Sequence, residues 1–406
     1  MGFRLRTPGI ALLFLGFGLV GCARRETAPT DPAVPVVSVS AEVVNNLVIV
    51  PVKVNGSAAV PFILDTGASS SVVDRADVRE LGLTLGEDAD ATTGGGRVAA
   101  AAIRNLTFEI GGINIPATNP VTMDLSGVET GLGHHIAGIL GSDIFKQRVV
   151  EIDYAEQTVR LHDARSFHYL GPAKPLVISI DEGVPFVNPV FVRPDGSELD
   201  AKLEFDTGQS GALTLIKPFV DGADLTNPSQ PILKIATGAI FPGKVSAYVT
   251  RLNAIRLEDS WLKNVVTNVT PTAEDAGVSG ATMGLMGGEV LRRFRIFVDY
   301  SRSQAFLEPN DHSGDPFEFD MSGISLASQG PLLNEYRARS VIAGSPASEA
   351  GVSAGDLLTA IEGRATQTMT LSDVRRLFRQ PDRQFALELK RGERRVQMKL
   401  KTRKLI

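Results

Sequence analysis

Residues 61–68 read PFILDTGA, and residues 203–209 read LEFDTGQ. Each is a mostly apolar, strand-like run that ends in an Asp-Thr-Gly turn. Further along, Gly138-Ile139-Leu140-Gly141 is echoed by Gly284-Leu285-Met286-Gly287, and Ile152-Asp153-Tyr154 by Val298-Asp299-Tyr300. The copies stand 141 residues apart at the first motif and 146 apart at both later ones. Three motifs in one order and near-constant spacing mark a duplicated unit, with one short length difference inside it.

Each copy reads as short strands. Leu47 to Val54 alternates around Val48, Val50, Val52 and Val54, and Ile110-Gly111-Gly112-Ile113 is a two-residue hairpin signal. Val149–Ile152 and Thr158–Leu161 flank a polar turn as a second hairpin, and Arg295 to Leu307 repeats that pattern. Helical periodicity is confined to a short segment around Asp74 to Leu81. Forty glycines beside 6% aromatic residues imply many turns. The expected class is therefore mainly β, with lobe one at 37–162, lobe two at 176–309 and a junction at Gly171 to Pro175. A length of 406 residues leaves room for a third domain.

The N-terminus carries Arg4 and Arg6, then an apolar run from Ile10 to Val20. That run is about half the length of a membrane span, so it reads as a secretory signal. Its end, Leu19-Val20-Gly21-Cys22, resembles the bacterial lipobox. Residues 1–21 are expected to be a lipoprotein signal peptide, Cys22 the lipidated residue, and 22–36 a Pro-rich tether. Cys22 is the only cysteine, which excludes an intramolecular disulfide and multi-cysteine metal sites. The implied location is the bacterial cell envelope, facing the periplasm from either membrane. Removing 1–21 takes away two arginines and no acid, moving the net charge from −5 to −7. No basic stripe with interleaved aromatics occurs, so nucleic acid is not an expected partner.

Apolar-apolar-Asp-Thr-Gly followed later by apolar-apolar-Gly resembles the pepsin and retropepsin aspartic proteases across both lobes. The resemblance implies two pseudo-symmetric acid-protease-type β-barrel lobes, each donating one catalytic aspartate, Asp65 and Asp206. Thr66 and Thr207 would tie the two turns together, with Gly67 and Gly208 letting backbone approach the carboxylates. The chemistry needs such a pair. A water nucleophile requires one group to take its proton and another to donate to the carbonyl oxygen. Two carboxylates about 3 Å apart share one proton and supply both roles. Thr92-Thr93-Gly94-Gly95-Gly96 and Thr237-Gly238-Ala239 stand where substrate flaps belong. The first lacks the tyrosine of a pepsin-type flap, which favours a retropepsin-like tandem. Ala68 and Gln209 replace the hydroxyl residue that pepsin-like enzymes carry after Asp-Thr-Gly.

After a polar stretch at Asn310 to Asp315, Ser345-Pro346-Ala347, Ala350-Gly351 and Gly355-Asp356-Leu357 resemble the PDZ domain of bacterial envelope proteases, covering 321–403. The resemblance implies a carboxylate-binding loop at Ser322, Gly323 and Ile324 and a groove helix at Leu371 to Phe378. Other chemistries find no motif. His-Glu-x-x-His and Gly-x-Ser-x-Gly are absent, and His134-His135 reads as loop rather than metal site. Asp153 and Asp299 are expected to close hairpins, and Trp261 to pack inside lobe two. No metal or cofactor is expected. The expectation is an aspartic endopeptidase, a monomeric pseudo-dimer whose PDZ domain recruits peptide or protein substrates. Two alternatives remain open: an inactive peptide-binding lipoprotein, or lobes that pair between chains as in dimeric retropepsins.

Overall fold

The computed structural model describes residues 37–93, 96–238, 244–278 and 282–406. The signal peptide, Cys22, the tether, Gly94, Gly95 and Ala239 lie outside the described residues. With 48% strand and 13% helix, the chain is mainly β, with sheet-rich lobes and a PDZ domain at the C-terminus.

A six-stranded antiparallel sheet joins the lobes. Its order is Val37–Ser40, Thr158–Asp163, Arg148–Asp153, Phe294–Asp299, Gln304–Pro309 and Pro175–Val177. At its centre Val150 pairs with Val298, Glu151 with Phe297, and Ile152 with Ile296. The 146-residue offset maps the first and third of these pairs onto each other, so the pseudo-twofold axis passes through Glu151 and Phe297. Asp153 and Asp299 close the flanking hairpins by accepting from the backbone of Glu156 and Arg302.

Each lobe adds a ten-stranded sheet. In lobe one, Ala59–Leu64 runs antiparallel to Leu47–Val54 and parallel to Gly138–Leu140. In lobe two, Leu203–Phe205 runs antiparallel to Val184–Val187 and parallel to Gly284–Met286. The β-branched and aromatic residues of these strands form one apolar core that runs through both lobes, including Phe62, Phe108, Phe191, Phe205, Ile152 and Ile296. The Ile110–Ile113 hairpin forms as its glycines predict. Arg75 to Leu81, by contrast, makes only turns, and the segment begins on Asp74, the last residue of the strand Val72–Asp74. The Asp74 backbone N–H donates to Ala137, and its carboxylate accepts from the Leu125 N–H. Trp261 is another correction. It is 50% exposed and lies beside the Arg256 guanidinium, because it sits near the turn of a long hairpin rather than in the core.

The third unit is a sheet in the order Ile324–Gln329, Glu335–Val341, Leu357–Ile361, Gln384–Arg391 and Arg394–Lys401. The helix Leu371–Phe378 packs on it through Leu371, Val374 and Phe378, a spacing of one helical face, and Thr370 with Asp373 closes a capping box. The connection to lobe two is anchored. Buried Arg293 lies over the Phe317 ring and donates to the carbonyls of Asp315 and Pro316. Phe317 itself belongs to the core of the lobes. Among the described residues, no helix is long and apolar enough to cross a membrane.

Candidate active site

Asp65 and Asp206 each stand one residue beyond a central strand, and a parallel neighbour receives their backbone. The Asp65 N–H donates to the carbonyl of Leu140 at 2.9 Å, and the Asp206 N–H to that of Met286 at 3.0 Å. This explains why a Gly-apolar-apolar-Gly segment follows each turn: it supplies the strand that holds the aspartate.

The two turns grip each other. The Thr66 N–H donates to Thr207 Oγ1, and the Thr207 N–H to Thr66 Oγ1, both at 3.0 Å. The Thr66 hydroxyl donates to the Phe205 carbonyl at 2.5 Å, and the Thr207 hydroxyl to the Leu64 carbonyl at 2.8 Å. Both threonines are fully buried. Each hydroxyl thus accepts from one lobe's turn and donates to the strand leading into it, so the bonds satisfy four buried backbone groups.

The carboxylates pack crosswise over the glycines. A Cβ on Gly208 would fall 2.2 Å from Asp65 Cγ, and one on Gly67 would fall 2.8 Å from Asp206 Cγ. Only glycine leaves that room. Asp65 accepts from the Gly67 N–H and Asp206 from the Gly208 N–H, each at 2.8 Å. The two carboxyls hydrogen-bond to one another. Desolvation raises the Asp65 pKa, opposed by that bond and by the backbone donors. Desolvation followed by the Asp65 and Glu204 charges pushes Asp206 well above the usual carboxylate range. Such a pair holds one proton between two oxygens and can act as acid and base together. Gln209 turns its side chain to the Gly211 N–H instead of to a carboxylate.

Two features at this centre escaped the sequence reading. Glu204, two residues before Asp206, is buried, and burial followed by the Asp65 charge raises its pKa to about 8. Its signal was a single acid in an apolar run. Tyr154 and Tyr300, from the repeated apolar-Asp-Tyr motif, are buried with hydroxyls that have no hydrogen-bond partner among the described residues. Burial and then the nearby carboxylates raise the pKa of both, with Asp206 acting on Tyr154 and Asp65 foremost on Tyr300.

The first flap sequence lies at the end of a hairpin of Thr84–Thr93 and Gly96–Arg104, where Gly96 has φ +103°. Ala91 and Val98 of that hairpin join the apolar cluster that includes Ala68, next to the Asp65 turn. The second lies on a hairpin in which Gly238 pairs with Lys244. His134 and His135 have carboxylate partners that the sequence did not reveal: His134 bonds Glu42 at 3.1 Å and His135 bonds Glu129 at 2.6 Å. Among the described residues, no group of three His, Cys, Asp or Glu is placed to hold a metal ion.

In the PDZ unit, the loop at Ser322, Gly323 and Ile324 already holds a carboxylate, that of Asp320. It accepts from the Ser322 hydroxyl at 2.8 Å and from the Gly323 N–H, while the Ile324 N–H donates to Ser322 Oγ. The adjacent strand Ile324–Gln329 faces the lobe-one helix Ser126–Leu132. Ser328 donates to the Thr130 carbonyl, and Arg375 bridges the carbonyls of Gly131 and Leu326.

Residues 50–144, which contain Asp65, match the aspartyl protease family, and residues 337–391 match the PDZ domain family. The chain therefore carries an aspartyl protease domain and a C-terminal PDZ domain. No curated protein matches it. One solved structure with some likeness is titled photosystem II D1 C-terminal processing protease. It is 23% identical over 21% of this chain, with a TM-score of 0.20, and the likeness spans only 24% of that protein.

Proposed function

We propose that this protein is an aspartic endopeptidase in which Asp65 and Asp206 share one proton and activate a water against a peptide bond. One aspartate takes the water's proton while the other donates to the scissile carbonyl. The observation that carries this reading is the reciprocal Thr66–Thr207 grip, which brings both carboxyls into contact within one chain. It favours a pseudo-dimer over lobes shared between chains. A binding protein would have no use for two like-charged groups held together against their repulsion, which argues against an inactive clamp. The PDZ unit, in this reading, selects peptide or protein substrates, and the lipid on Cys22 holds the enzyme at the envelope membrane.

The test is hydrolysis of a peptide library by the lipid-free protein. Asp65→Asn and Asp206→Asn should each lower kcat/KM by at least about a thousandfold, and the double variant should be no worse, because the pair acts as one unit. Full activity in either single variant rules out the shared-proton mechanism.

A further inference from the structure

We infer that Glu204 is a third carboxyl of the dyad, a positioning residue that keeps the shared proton on the aspartates above the neutral range. The inference rests on the aspartic peptidase reading. Its geometry centres on Gly67. The point where a Cβ on that residue would sit is 2.8 Å from Glu204 Oε1 and 2.8 Å from Asp206 Oδ1. Twice that distance is the most that can separate the two oxygens. Glu204 thus reaches from lobe two across to the lobe-one turn and completes a ring of three carboxyls around one glycine.

Among the described residues, no opposite charge pairs with it. Its strand neighbours are Phe186 and Leu285, both apolar. Lys202, just before that strand, lies over the Phe186 ring, and among the described residues it makes no ion pair with Glu204. From the turn that follows the interlobe strand Phe294–Asp299, Tyr300 feels the charges of all three carboxyls. Among the described residues Glu204 has no hydrogen-bond or ion-pair partner. The equivalent position in lobe one, 141 residues earlier, is Ile63, buried in an apolar cluster. Packing alone would be met by such a residue in lobe two as well. An unpaired acid in its place is a departure from the pseudo-symmetry beside the dyad.

The three groups titrate as a unit. The first proton leaves the aspartate pair and creates the working, singly protonated form. Glu204, raised to about 8 by burial and by Asp65, ionises next. The last dyad proton must then leave to solvent against two neighbouring charges, so the working form persists to higher pH.

The experiment is a pH–rate profile of wild type, Glu204→Gln and Glu204→Ile, the last copying lobe one. Both variants should retain activity at their optimum while the alkaline limb of kcat/KM moves acidward by about one pH unit. Infrared spectra at pH 7 give a second readout that needs no activity. Wild type should show one more protonated carboxyl than Glu204→Gln. An alkaline limb that stays in place in both variants overturns the inference, as does an unchanged count of protonated carboxyls. A wild type that cleaves nothing at any pH, yet loses a protonated carboxyl in Glu204→Gln, overturns the peptidase reading and leaves the third carboxyl standing.

Discussion

At the scale of single residues, the centre of this molecule depends on hydroxyls as much as on carboxylates. Thr207 Oγ1 accepts from the Thr66 N–H and donates to the Leu64 carbonyl, and both partners are buried. Thr207→Val keeps the shape but orphans one donor and one acceptor, at about 1–3 kcal/mol each. Chemical denaturation should show a loss of about 2–6 kcal/mol for Thr207→Val, and much less for Thr207→Ser, which keeps the hydroxyl. Equal losses in the two variants would mean that the methyl, not the hydroxyl, matters. Asp-Thr-Gly was legible as a motif because each of its three residues has a separate chemical task. Glu204 was not, because one acid beside a strand becomes part of a site only when the other lobe's turn is folded against it.

At the scale of elements, the hairpins were legible and the crossings between strands were not. Paired glycines and alternating β-branched residues announce Ile110–Ile113 and the two interlobe hairpins locally. The parallel pairing of Leu203–Phe205 with Gly284–Met286 joins residues about eighty positions apart, and only the finished lobe brings them together. The interlobe sheet has its own electrostatic pin. Glu151 is buried on the pseudo-twofold axis. Burial would raise its pKa, but bonds from His162, Arg295 and Arg160 overcome this and bring it down to about 2. A depressed carboxylate stabilises the fold fully above its unfolded value of 4.5, and the gain is lost as pH falls toward 2. The shift corresponds to about 3 kcal/mol. Thermal unfolding of wild type and Glu151→Gln should therefore differ most above pH 4.5 and converge near pH 2. A difference that grows on acidification would contradict this role.

At the scale of the whole molecule, the PDZ unit is docked on lobe one rather than hung from a tether. Arg375 and Ser328 hold the lobe-one helix, and Phe317 of the connection sits in the core of the lobes. Deleting everything after Asn310 would strip Phe317 from its place against Arg293. Deletion after Glu318 avoids that. The shorter protein should cleave small peptides at a rate within a few-fold of wild type but cleave a physiological protein substrate more slowly. Equal rates on that substrate would show that the PDZ unit does not select it. Cys22→Ser should shift the protein from the membrane to the soluble fraction, and unchanged partitioning would sink the lipid-anchor proposal.

What the sequence determined by itself was whatever short-range chemistry encodes: the duplicated Asp-Thr-Gly turns, the strands leading into them, the hairpins and the PDZ pattern. Each rests on residues within a few positions of one another, where backbone preference and side-chain alternation suffice. The tertiary structure alone decided the contacts between distant segments. Those are the crosswise packing of Asp65 over Gly208, the approach of Glu204 to Gly67, the ion cluster on Glu151, and the carboxylate of Asp320 in the PDZ loop. Their energies depend on burial and on separations of a few ångströms between groups far apart along the chain, and neither quantity exists until the lobes have closed on each other.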